Sequence, residues 1–393
     1  MSKSQKKYCM VVHSTSQDIR VEREAEALVK AGYQVDILCL RYPNETAQEV
    51  INEITFYRLP IYRRQKWGIV GQFAEYIIFL GLAFFQLAGR SNYQVVHVHN
   101  LPDFLVFAAL IPRLRGAKVV LDLHDLMPEF YESRFNKWYN RWLISLVRLQ
   151  ERLSCGFAHH VITVTEPWRQ ALIKRGVPEQ KTSVVMNLPG KQFQQNLDHI
   201  KLAPQTEVEF RLLYHGGLFP RYGLDLLLQA IAQVKDELPN VRLIIHGNNQ
   251  YRPVLEALAD QLDITDVVTF STDRLPIEEL AQFIASAHAG LVPYRSDVFT
   301  DGILPTKLME YVTVGLPVIA ARTPMIETYF DDSMVAFFNP GNVDELVDRI
   351  RYFYHNRTSL TPLIQAARQF NQRYNWPDQA KHLTHLAETL TTH

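Results

Sequence analysis

The chain has 393 residues, which is longer than one hydrophobic core normally supports, so two domains of similar size are expected. Lys plus Arg and Asp plus Glu number 41 each, and this balance argues against a general nucleic-acid-binding protein, which would carry a basic excess. The three cysteines, Cys9, Cys39 and Cys155, are odd in number and have no CxxC spacing, which argues against a disulfide framework or a zinc site.

The first half of the chain alternates short apolar runs with amphipathic stretches. The predicted strands are 8–12, 34–40, 95–99, 118–123 and 160–164, and the predicted helices include 20–31 and 102–114. Strands that alternate with helices indicate a parallel sheet with helices on both faces. The first strand is followed by HSTSQD, without a glycine, which argues against a dinucleotide dehydrogenase.

One apolar segment in this half bears on membrane contact. No long apolar run follows the N-terminal lysines, so no signal peptide is predicted and a cytoplasmic location is expected. Residues 76–88 are mostly apolar, but a spanning helix needs about 20 residues, so a core helix or an interfacial helix is predicted. Arg63, Arg64, Lys66 and Trp67 precede it and suit an anionic membrane surface. Two interpretations stay open: peripheral contact through 61–88 on the inner face of the plasma membrane, or a core helix beside a solvated basic loop.

A second series of strands begins near residue 211. Its predicted members are 211–215, 242–246, 267–271, 290–293 and 317–321. The polar, weakly periodic stretch 188–209 marks the boundary between the two series. We therefore predict an α/β fold of two doubly wound Rossmann-like domains, 1–195 and 205–370, with a C-terminal helix in 371–393 that could cross back to the first domain.

The loop after strand 211–215, HGGLFPRYGLDLLL, has the composition of an anion site. Gly216 and Gly217 permit close approach of the backbone to a ligand, and Gly223 precedes a helix that begins near Leu224. Arg221 lies inside this turn, and its planar guanidinium matches phosphate oxygens. The alternative is an ordinary turn with Arg221 in solvent.

The loop after strand 290–293 has a second set of candidate residues. Pro305 occupies the expected first position of a helix that runs to Val314, and Gly315 ends it. The free amides of 304–307 and the charge of Lys307 would bind an anion at this helix start. Glu310 lies one turn further on, placed to accept hydrogen bonds from ribose hydroxyls. The alternative is a solvated Lys-Glu pair.

Two anion-binding loops in one half of the chain fit a single diphosphate held from two sides. Neither loop matches a P-loop, because GxxxxGK[ST] is absent, and no GxGxxG follows a strand. The predicted donor-binding residues are Gly216, Gly217, Arg221, Leu304, Pro305, Thr306, Lys307 and Glu310.

These motifs resemble the retaining glycosyltransferases of family 4, also called group 1, over nearly the whole chain. The most specific stretch, KLMEYVTVGLPVIA, is similar to the part of the family that carries the second Glu of an E-x7-E motif, and Glu310 matches that residue. The loop HGGLFPRYGLD resembles the family's phosphate loop. The resemblance implies the GT-B fold, in which an N-terminal acceptor-binding domain and a C-terminal nucleotide-sugar-binding domain face a central cleft.

The resemblance also extends to the first half of the chain. LDLHDLMPE resembles the segment whose His reaches the donor sugar, and here that residue is His124. VVHVHNLPDFL is similar to a strand and loop near the cleft and implies that His99 and Asp103 lie on the acceptor side. With Arg221 and Lys307, His124 is therefore a predicted catalytic residue.

The chain departs from the family pattern at three places. The first Glu of E-x7-E falls at Gly302, and the neighbouring Asp301 is a candidate substitute and so a further predicted catalytic residue. The family's Arg after the first phosphate-loop glycine is Gly217 here, and its Lys-Gly pair is Tyr222-Gly223, with Arg221 one place earlier. The first strand also lacks the usual glycine pair.

The resemblance predicts transfer from a nucleotide diphosphate sugar, with UDP favoured, to a glycan or lipid-linked acceptor in surface polysaccharide synthesis. Anomeric configuration would be retained, and no metal or other cofactor is expected. Two alternatives remain: a non-catalytic nucleotide-sugar-binding partner subunit, and an epimerase acting on sugar nucleotides.

Overall fold

Short runs of aliphatic and β-branched residues form buried strands, and amphipathic segments between them form helices. The computed structural model describes residues 6–14, 18–61, 68–90, 92–134, 141–194, 197–204, 208–272 and 275–392. The chain divides into two units, one of Met1–Asn187 with Pro377–His393 and one of Leu188–Trp376.

The first unit contains a mostly parallel sheet covered by helices. Its strands are β1 (Lys7–Val12), β2 (Gln34–Leu40), β3 (Gln48–Ile51), β4 (Ile54–Leu59), β5 (Tyr93–His99), β6 (Lys118–Leu123), β7 (His160–Thr163) and β8 (Thr182–Val184). Its helices before the second unit are α1 (Ile19–Lys30), α2 (Gly68–Ala88), α3 (Leu110–Leu114), α4 (Met127–Arg134), α5 (Arg141–Phe157) and α6 (Glu166–Lys174).

The strand order in this sheet is β3-β4-β2-β1-β5-β6-β7-β8, and β3 is antiparallel to β4. The order reverses between β1 and β5, which pair directly. In sheets of this kind ligands bind beyond the carboxyl ends of the strands at that reversal.

The second unit begins with α7 (Lys191–Gln194) and contains a six-stranded parallel sheet in the described residues. Its strands are β9 (Phe210–His215), β10 (Val241–His246), β11 (Val268–Ser271), β12 (Ala289–Val292), β13 (Val318–Ala321) and β14 (Ala336–Phe338). Its helices are α8 (Leu224–Val234), α9 (Arg252–Gln261), α10 (Ile277–Ala285), α11 (Thr306–Val314), α12 (Pro324–Tyr329), α13 (Val343–His355) and α14 (Thr361–Arg373). The strand order β11-β10-β9-β12-β13-β14 reverses between β9 and β12.

The last helix, α15 (Trp376–Thr392), starts in the second unit and packs on the first. The side chain of Gln379 accepts a hydrogen bond from the amide of Met186 at 2.8 Å, and Lys6 Nζ donates to Thr391 Oγ1 at 2.7 Å. The chain passes from the first unit to the second after Asn187 and returns to the first at Pro377, and the predicted domain bounds at 195 and 370 stay predictions.

Helix α2 differs most from its prediction. It has 21 residues, because the apolar pattern continues upstream of Tyr76, and the span Gly71–Ala88 is long and apolar enough to cross a membrane by length and composition. Only 17% of that span is buried, so α2 is not a core helix. Phe79, Ala83 and Leu87 form its buried stripe. The basic residues at 62–67 lie outside the described part of the chain.

Two further differences from the predictions have local causes. Strand β3 is exposed along its whole length and so lacks the apolar run that marks a strand. The predicted helix 102–114 is a 3-10 helix over Asp103–Ala109 followed by α3. Pro112 has no N–H for the helical ladder, which explains why a continuous α-helix does not form there.

Candidate functional site

The candidate site in the second unit lies where the strand order reverses. β9 and β12 pair in parallel, so the loops that follow them leave the same edge of the sheet side by side. These two loops carry the residues that the sequence predicts for diphosphate binding. The position is the one at which doubly wound sheets bind ligands.

The loop after β9 needs glycine at both ends. Gly216 has φ of 109° and Gly223 has φ of 67°, values that favour glycine. A Cβ on Gly223 would lie 1.9 Å from the carbonyl oxygen of Pro293, at the start of the loop after β12. The amide of Arg295 also donates to the carbonyl of Arg221 at 3.0 Å. The two loops are therefore in direct contact, and α8 begins at Leu224 as predicted.

Gly217 lies where the resemblance implies an arginine, and a side chain added there would meet the ring of Phe219. A Cβ at this position would lie 2.8 Å from the ring of Phe219. The cation of this loop is instead Arg221, in a 3-10 turn over Pro220–Tyr222, with its guanidinium 4.9 Å from the ring centre of Phe299. Arg221 is partly exposed and can reach a ligand at the loop.

The loop after β12 ends in α11. This helix begins at Thr306, with Pro305 as its N-cap, so Pro305 stands one position earlier than predicted. Gly315 ends it with φ of 88°, as predicted. Leu304 and Pro305 are buried, whereas Thr306 is exposed. The first-turn amides of a helix are free to bind an anion.

Lys307 is the centre of the site. Its side chain is only 5% exposed, and its ammonium lies within about 5 Å of three tyrosine rings, those of Tyr214, Tyr222 and Tyr294, at 4.0, 5.0 and 5.2 Å. It donates hydrogen bonds to Tyr214 Oη at 2.8 Å and Tyr294 Oη at 3.4 Å. Cation–π attraction of this kind stabilises a desolvated cation.

The lysine cage joins both anion-binding loops. Tyr222 belongs to the first loop and stacks on Tyr294 of the second, with ring centres 4.4 Å apart. A Cβ on Gly216 would lie 3.3 Å from Lys307 Cε, so the lysine side chain runs along the backbone of the first loop. Burial lowers the pKa of Lys307 to about 7, and the nearby Glu310 carboxylate opposes that shift.

Glu310 lies one turn along α11 and is paired with His215, a residue that sequence reasoning missed. His215 Nε2 lies 3.2 Å from Glu310 Oε2. The neighbouring Tyr311 fixes the helix: its hydroxyl donates to Leu213 O and accepts from the amide of His215, both at 3.2 Å. His215 is the last residue of β9 and lies directly before the glycine pair. That position at the end of a strand next to the anion-binding loop could have indicated a site residue from the sequence.

The loop after β12 contains two further polar residues of note. Asp301 accepts a hydrogen bond from Ser296 Oγ at 2.8 Å, and burial raises its pKa. That bond holds the carboxylate within its own loop, so its substitution for the missing Glu stays a prediction. Arg295, which the sequence analysis did not single out, forms an ion pair with Asp225 and adds a second guanidinium close to the first loop.

In the first unit, His124 caps a buried polar cluster beyond the end of β6. His124 Nε2 lies 3.3 Å from Asp122 Oδ2 and 3.1 Å from His99 Nδ1. Arg20 holds Asp122 with a bond of 2.8 Å, and although burial alone would raise the pKa of Asp122, Arg20 and His124 hold it well below its usual range. Burial, together with the adjacent His97, lowers the pKa of His99 well below its usual range.

Four residues of this cluster are a candidate metal-ligand set: Glu24, His97, His99 and Asp122 have ligand atoms within 4.8 Å of one another. Arg20, however, lies 3.1 Å from the Glu24 carboxylate and 2.8 Å from that of Asp122. Its guanidinium occupies the oxygens that a cation would need. The arrangement is therefore a buried ion-pair network that contacts His124 through Asp122.

His99 and Asp103 are the residues that the resemblance places on the acceptor side. Both side chains are fully buried in the first unit, so their role toward an acceptor stays a prediction. Asp103 accepts a hydrogen bond from Asn100 Nδ2 at 3.0 Å, and burial raises its pKa to about 7. Asn100 Oδ1 in turn accepts from the amide of His124, so these residues lie beneath the surface and hold the loop of His124.

Comparison with protein families covers most of the chain. Residues 17–187 match the family model for glycosyl transferase 4-like domains, and residues 198–370 match that for glycosyl transferases group 1. Both matches agree with the resemblance noted in the sequence.

Three similar proteins illustrate the relationship. Sulfoquinovosyl transferase of Arabidopsis thaliana is 26% identical over 301 residues, which are 73% of this chain and 55% of that protein, so the chain spans little more than half of its length. Chitobiosyldiphosphodolichol beta-mannosyltransferase of Candida albicans is 24% identical over 77% of this chain and 70% of its own. The gpi3 subunit of phosphatidylinositol N-acetylglucosaminyltransferase from Schizosaccharomyces pombe is 22% identical over 93% and 76%.

Solved structures show the same fold. Sucrose-phosphate synthase from Thermosynechococcus elongatus has a TM-score of 0.75 at 19% identity, over 99% of this chain and 100% of that one. The Anabaena protein HepE in complex with UDP-glucose has a TM-score of 0.68 at 16% identity, over 98% and 100%. The two α/β units are therefore those of a GT-B protein.

Proposed function

The chain belongs to the group 1 glycosyltransferases, and we propose that it moves a sugar from a nucleotide diphosphate sugar to a lipid-linked or glycan acceptor with retention of configuration. A UDP-sugar is the favoured donor, and surface polysaccharide synthesis is the proposed setting. The observation that carries the donor part is the cage in which Lys307 joins the loops after β9 and β12.

The cage explains how a diphosphate would be held. As the bond from the anomeric carbon to the diphosphate breaks, negative charge grows on the β-phosphate oxygens while the sugar gains oxocarbenium character. Arg221, Lys307 and the first-turn amides of α11 would stabilise that charge. Groups fixed in place before the reaction do this without reorganisation, and one such donor contributes about 10²–10³ in rate in other enzymes.

The pair of Glu310 and His215 suits a ribose. A carboxylate oxygen accepts hydrogen bonds from hydroxyl groups, and the contact with His215 fixes the Glu310 side chain before a ligand binds. The ribose of the donor would lie beside the start of α11, next to the diphosphate. Asp301 is proposed only as an auxiliary carboxylate in the same loop.

His124 is the proposed contact to the donor sugar. Its side chain is partly exposed, and Nε2 is engaged by Asp122 and His99 on the buried side. Among the described residues no hydrogen bond joins Nδ1, which can therefore serve a ligand. The proposed reaction uses no metal or other cofactor, because arginine, lysine and helix amides supply the positive charge.

A lipid-linked acceptor at the cytoplasmic face of the plasma membrane is favoured over a free glycan. Helix α2 exposes Phe73, Ile77, Ile78 and Phe85, an apolar face suited to peripheral contact with a bilayer. The relatives named for diphosphodolichol and phosphatidylinositol support the same acceptor class. The basic residues at 62–67 add charge complementarity at the level of sequence.

The proposal is tested by screening nucleotide sugars in a thermal-shift assay. A donor at 100 times its dissociation constant stabilises the protein by about 2.7 kcal/mol. The donor found is then incubated with lipid-linked and free acceptors, and the anomeric configuration of the product is read by NMR. A new glycoside with the donor's configuration is expected. Binding without any glycoside would instead identify a non-catalytic binder, and free epimerised donor would identify an epimerase.

A further inference from the structure

Two cavities in the first unit adjoin each other. The first, about 290 Å³, lies near the carboxyl ends of β1 and β5, and the second, about 630 Å³, runs between α2, α4 and α5. They share five lining residues, Gln72, Tyr76, Pro102, Met127 and Tyr131. One elongated molecule can therefore occupy both.

The smaller cavity is the polar end. Hydrogen-bonding side chains line it, among them His13, Gln72, Tyr76 and Tyr131. His13 Nε2 lies 3.2 Å from Glu75 Oε1, and this contact fixes its ring. Hydrogen-bond donors and acceptors of this kind suit hydroxyl groups, such as those of a sugar.

The larger cavity is an apolar groove. Its described lining includes Phe73, Ile77, Phe104, Leu143 and Leu146, and no charged residue is among the lining residues that the structure describes. A peptide here would leave backbone N–H and C=O groups with few partners, at a cost of several kcal/mol each, whereas a hydrocarbon chain has no such groups. The groove therefore fits a hydrocarbon chain.

The surface around the groove suits the source of such a chain. Helix α5 exposes Trp142, Leu149 and Leu153 outside the groove, in an i, i+7, i+11 stripe, and Arg148 and Arg152 are exposed beside it. Apolar residues interspersed with arginine favour an anionic lipid surface, from which a lipid tail could enter the groove.

We propose that the groove between α2 and α5 binds the hydrocarbon chain of the acceptor, while the adjoining polar cavity binds its hydroxylated head. This inference rests on the proposed function and narrows it. The acceptor is an amphiphile whose hydrocarbon tail binds the protein directly and is not merely anchored in the bilayer. Chain length then sets acceptor affinity.

The test uses soluble alkyl glucosides of six, eight and ten carbons, each below its micelle-forming concentration, titrated by calorimetry. If the chain enters the groove, each added methylene should tighten binding about fourfold. Glucose alone should bind far more weakly. Binding by glucose as tight as by the octyl glucoside would overturn the proposal.

Paired variants separate the groove from the surrounding surface. Ile77→Asp and Leu146→Asp put a charge in the groove, at side chains 46% and 51% exposed. Phe85→Asp and Leu153→Asp are matched controls on the same helices, 73% and 55% exposed and outside the groove lining. The groove variants should lose the chain-length dependence, with octyl glucoside binding at least about tenfold weaker because an ionised carboxylate would be desolvated. The controls should stay within about twofold of wild type, since their side chains remain in water.

Three outcomes would contradict the inference. Equal losses in groove and control variants would indicate general surface adsorption. Full affinity in the groove variants would place the chain elsewhere. If the wild-type protein is a dimer and Ile77→Asp or Leu146→Asp converts it to a monomer, the groove is an interface between two copies of the chain. Nucleotide-sugar binding, measured by thermal shift on the same variants, should be unchanged. If the wild-type protein binds no nucleotide sugar, the proposed function is refuted, but the inference that the groove binds a hydrocarbon chain is not.

Discussion

Replacing Lys307 with methionine should stabilise the protein and remove donor binding. The lysine is almost fully buried, and burial lowers its pKa from 10.5 to about 7. At 1.36 kcal/mol per pKa unit, that shift corresponds to a cost of roughly 4–5 kcal/mol near pH 7. Loss of the cation–π contacts with the tyrosine cage offsets part of this, so a net gain of about 2–4 kcal/mol is expected.

The substitution fits the site sterically. Methionine is unbranched and close to lysine in length. Tyr214 keeps a hydrogen bond after the change, because its hydroxyl also donates to the carbonyl of Gly217 at 2.5 Å. Lys201→Met, at an exposed lysine of the same unit, is the control and should change stability by less than about 0.5 kcal/mol.

The pH dependence of the free energy of unfolding shows whether Lys307 stabilises or destabilises the folded protein. Unfolded chains hold the lysine proton up to about pH 10.5, whereas the folded protein releases it near pH 7, so the unfolded state binds more protons between those values. The contribution of Lys307 to the free energy of unfolding therefore becomes more favourable as pH rises from 7 to about 10. Lys307→Met should lack this rise, as measured by urea unfolding across the range.

Donor binding should take up a proton. The diphosphate of a UDP-sugar has no group that titrates between pH 6 and 8, so proton uptake reports on the protein. At pH 8 the free lysine is mostly neutral and the bound one charged, which predicts uptake of most of one proton, falling to a small fraction at pH 6. Calorimetry with UDP-glucose in buffers of different ionisation enthalpy measures this. Zero uptake at pH 8, or wild-type affinity in Lys307→Met, would refute this account of the cage.

Three smaller changes test individual contacts. Gly223→Ala should cost several kcal/mol and weaken donor binding, because its Cβ would overlap the carbonyl of Pro293; unchanged thermal stability would contradict that. Asp122→Asn leaves Arg20 buried without its main counter-charge and should cost about 3–5 kcal/mol at pH 7 in urea unfolding. Because the pKa of Asp122 is depressed, wild type should lose this contribution only as pH falls below about 4, toward the folded-state pKa. The raised pKa of Asp103, about 7, predicts that its contribution to stability declines as pH rises from about 4 to 7, and Asp103→Asn should flatten that decline.

The strands and the two anion-binding loops follow from local patterns in the sequence. Short apolar runs mark β9, which Gly216 follows, and β12, which Pro293 follows. Pro305 and Gly315 bracket α11 within one residue of the prediction. The spacing of Lys307 and Glu310 on one helix needs no tertiary information. These features are local, and so a single sequence contains them.

The lysine cage and the cluster under His124 depend on tertiary contacts. Tyr214 and Tyr222 lie in β9 and the loop after it, whereas Tyr294 lies in the loop after β12, and no spacing rule brings them to one ammonium group. Arg20 and Asp122 are 102 residues apart, and only the adjacency of β1, β5 and β6 places α1 over the end of β6. The length of α2 was missed because Gln72 and Glu75 interrupt the apolar run without interrupting the helix.

The most direct test of the central claim is sugar transfer by Arg221→Ala and Glu310→Gln, with UDP-sugar binding and melting temperature measured on the same samples. Each variant should lose about 10²–10³ in transfer rate or donor affinity. Their melting temperatures should match wild type, because both side chains are partly exposed. Transfer at the wild-type rate in both variants would show that the loops after β9 and β12 do not hold the donor.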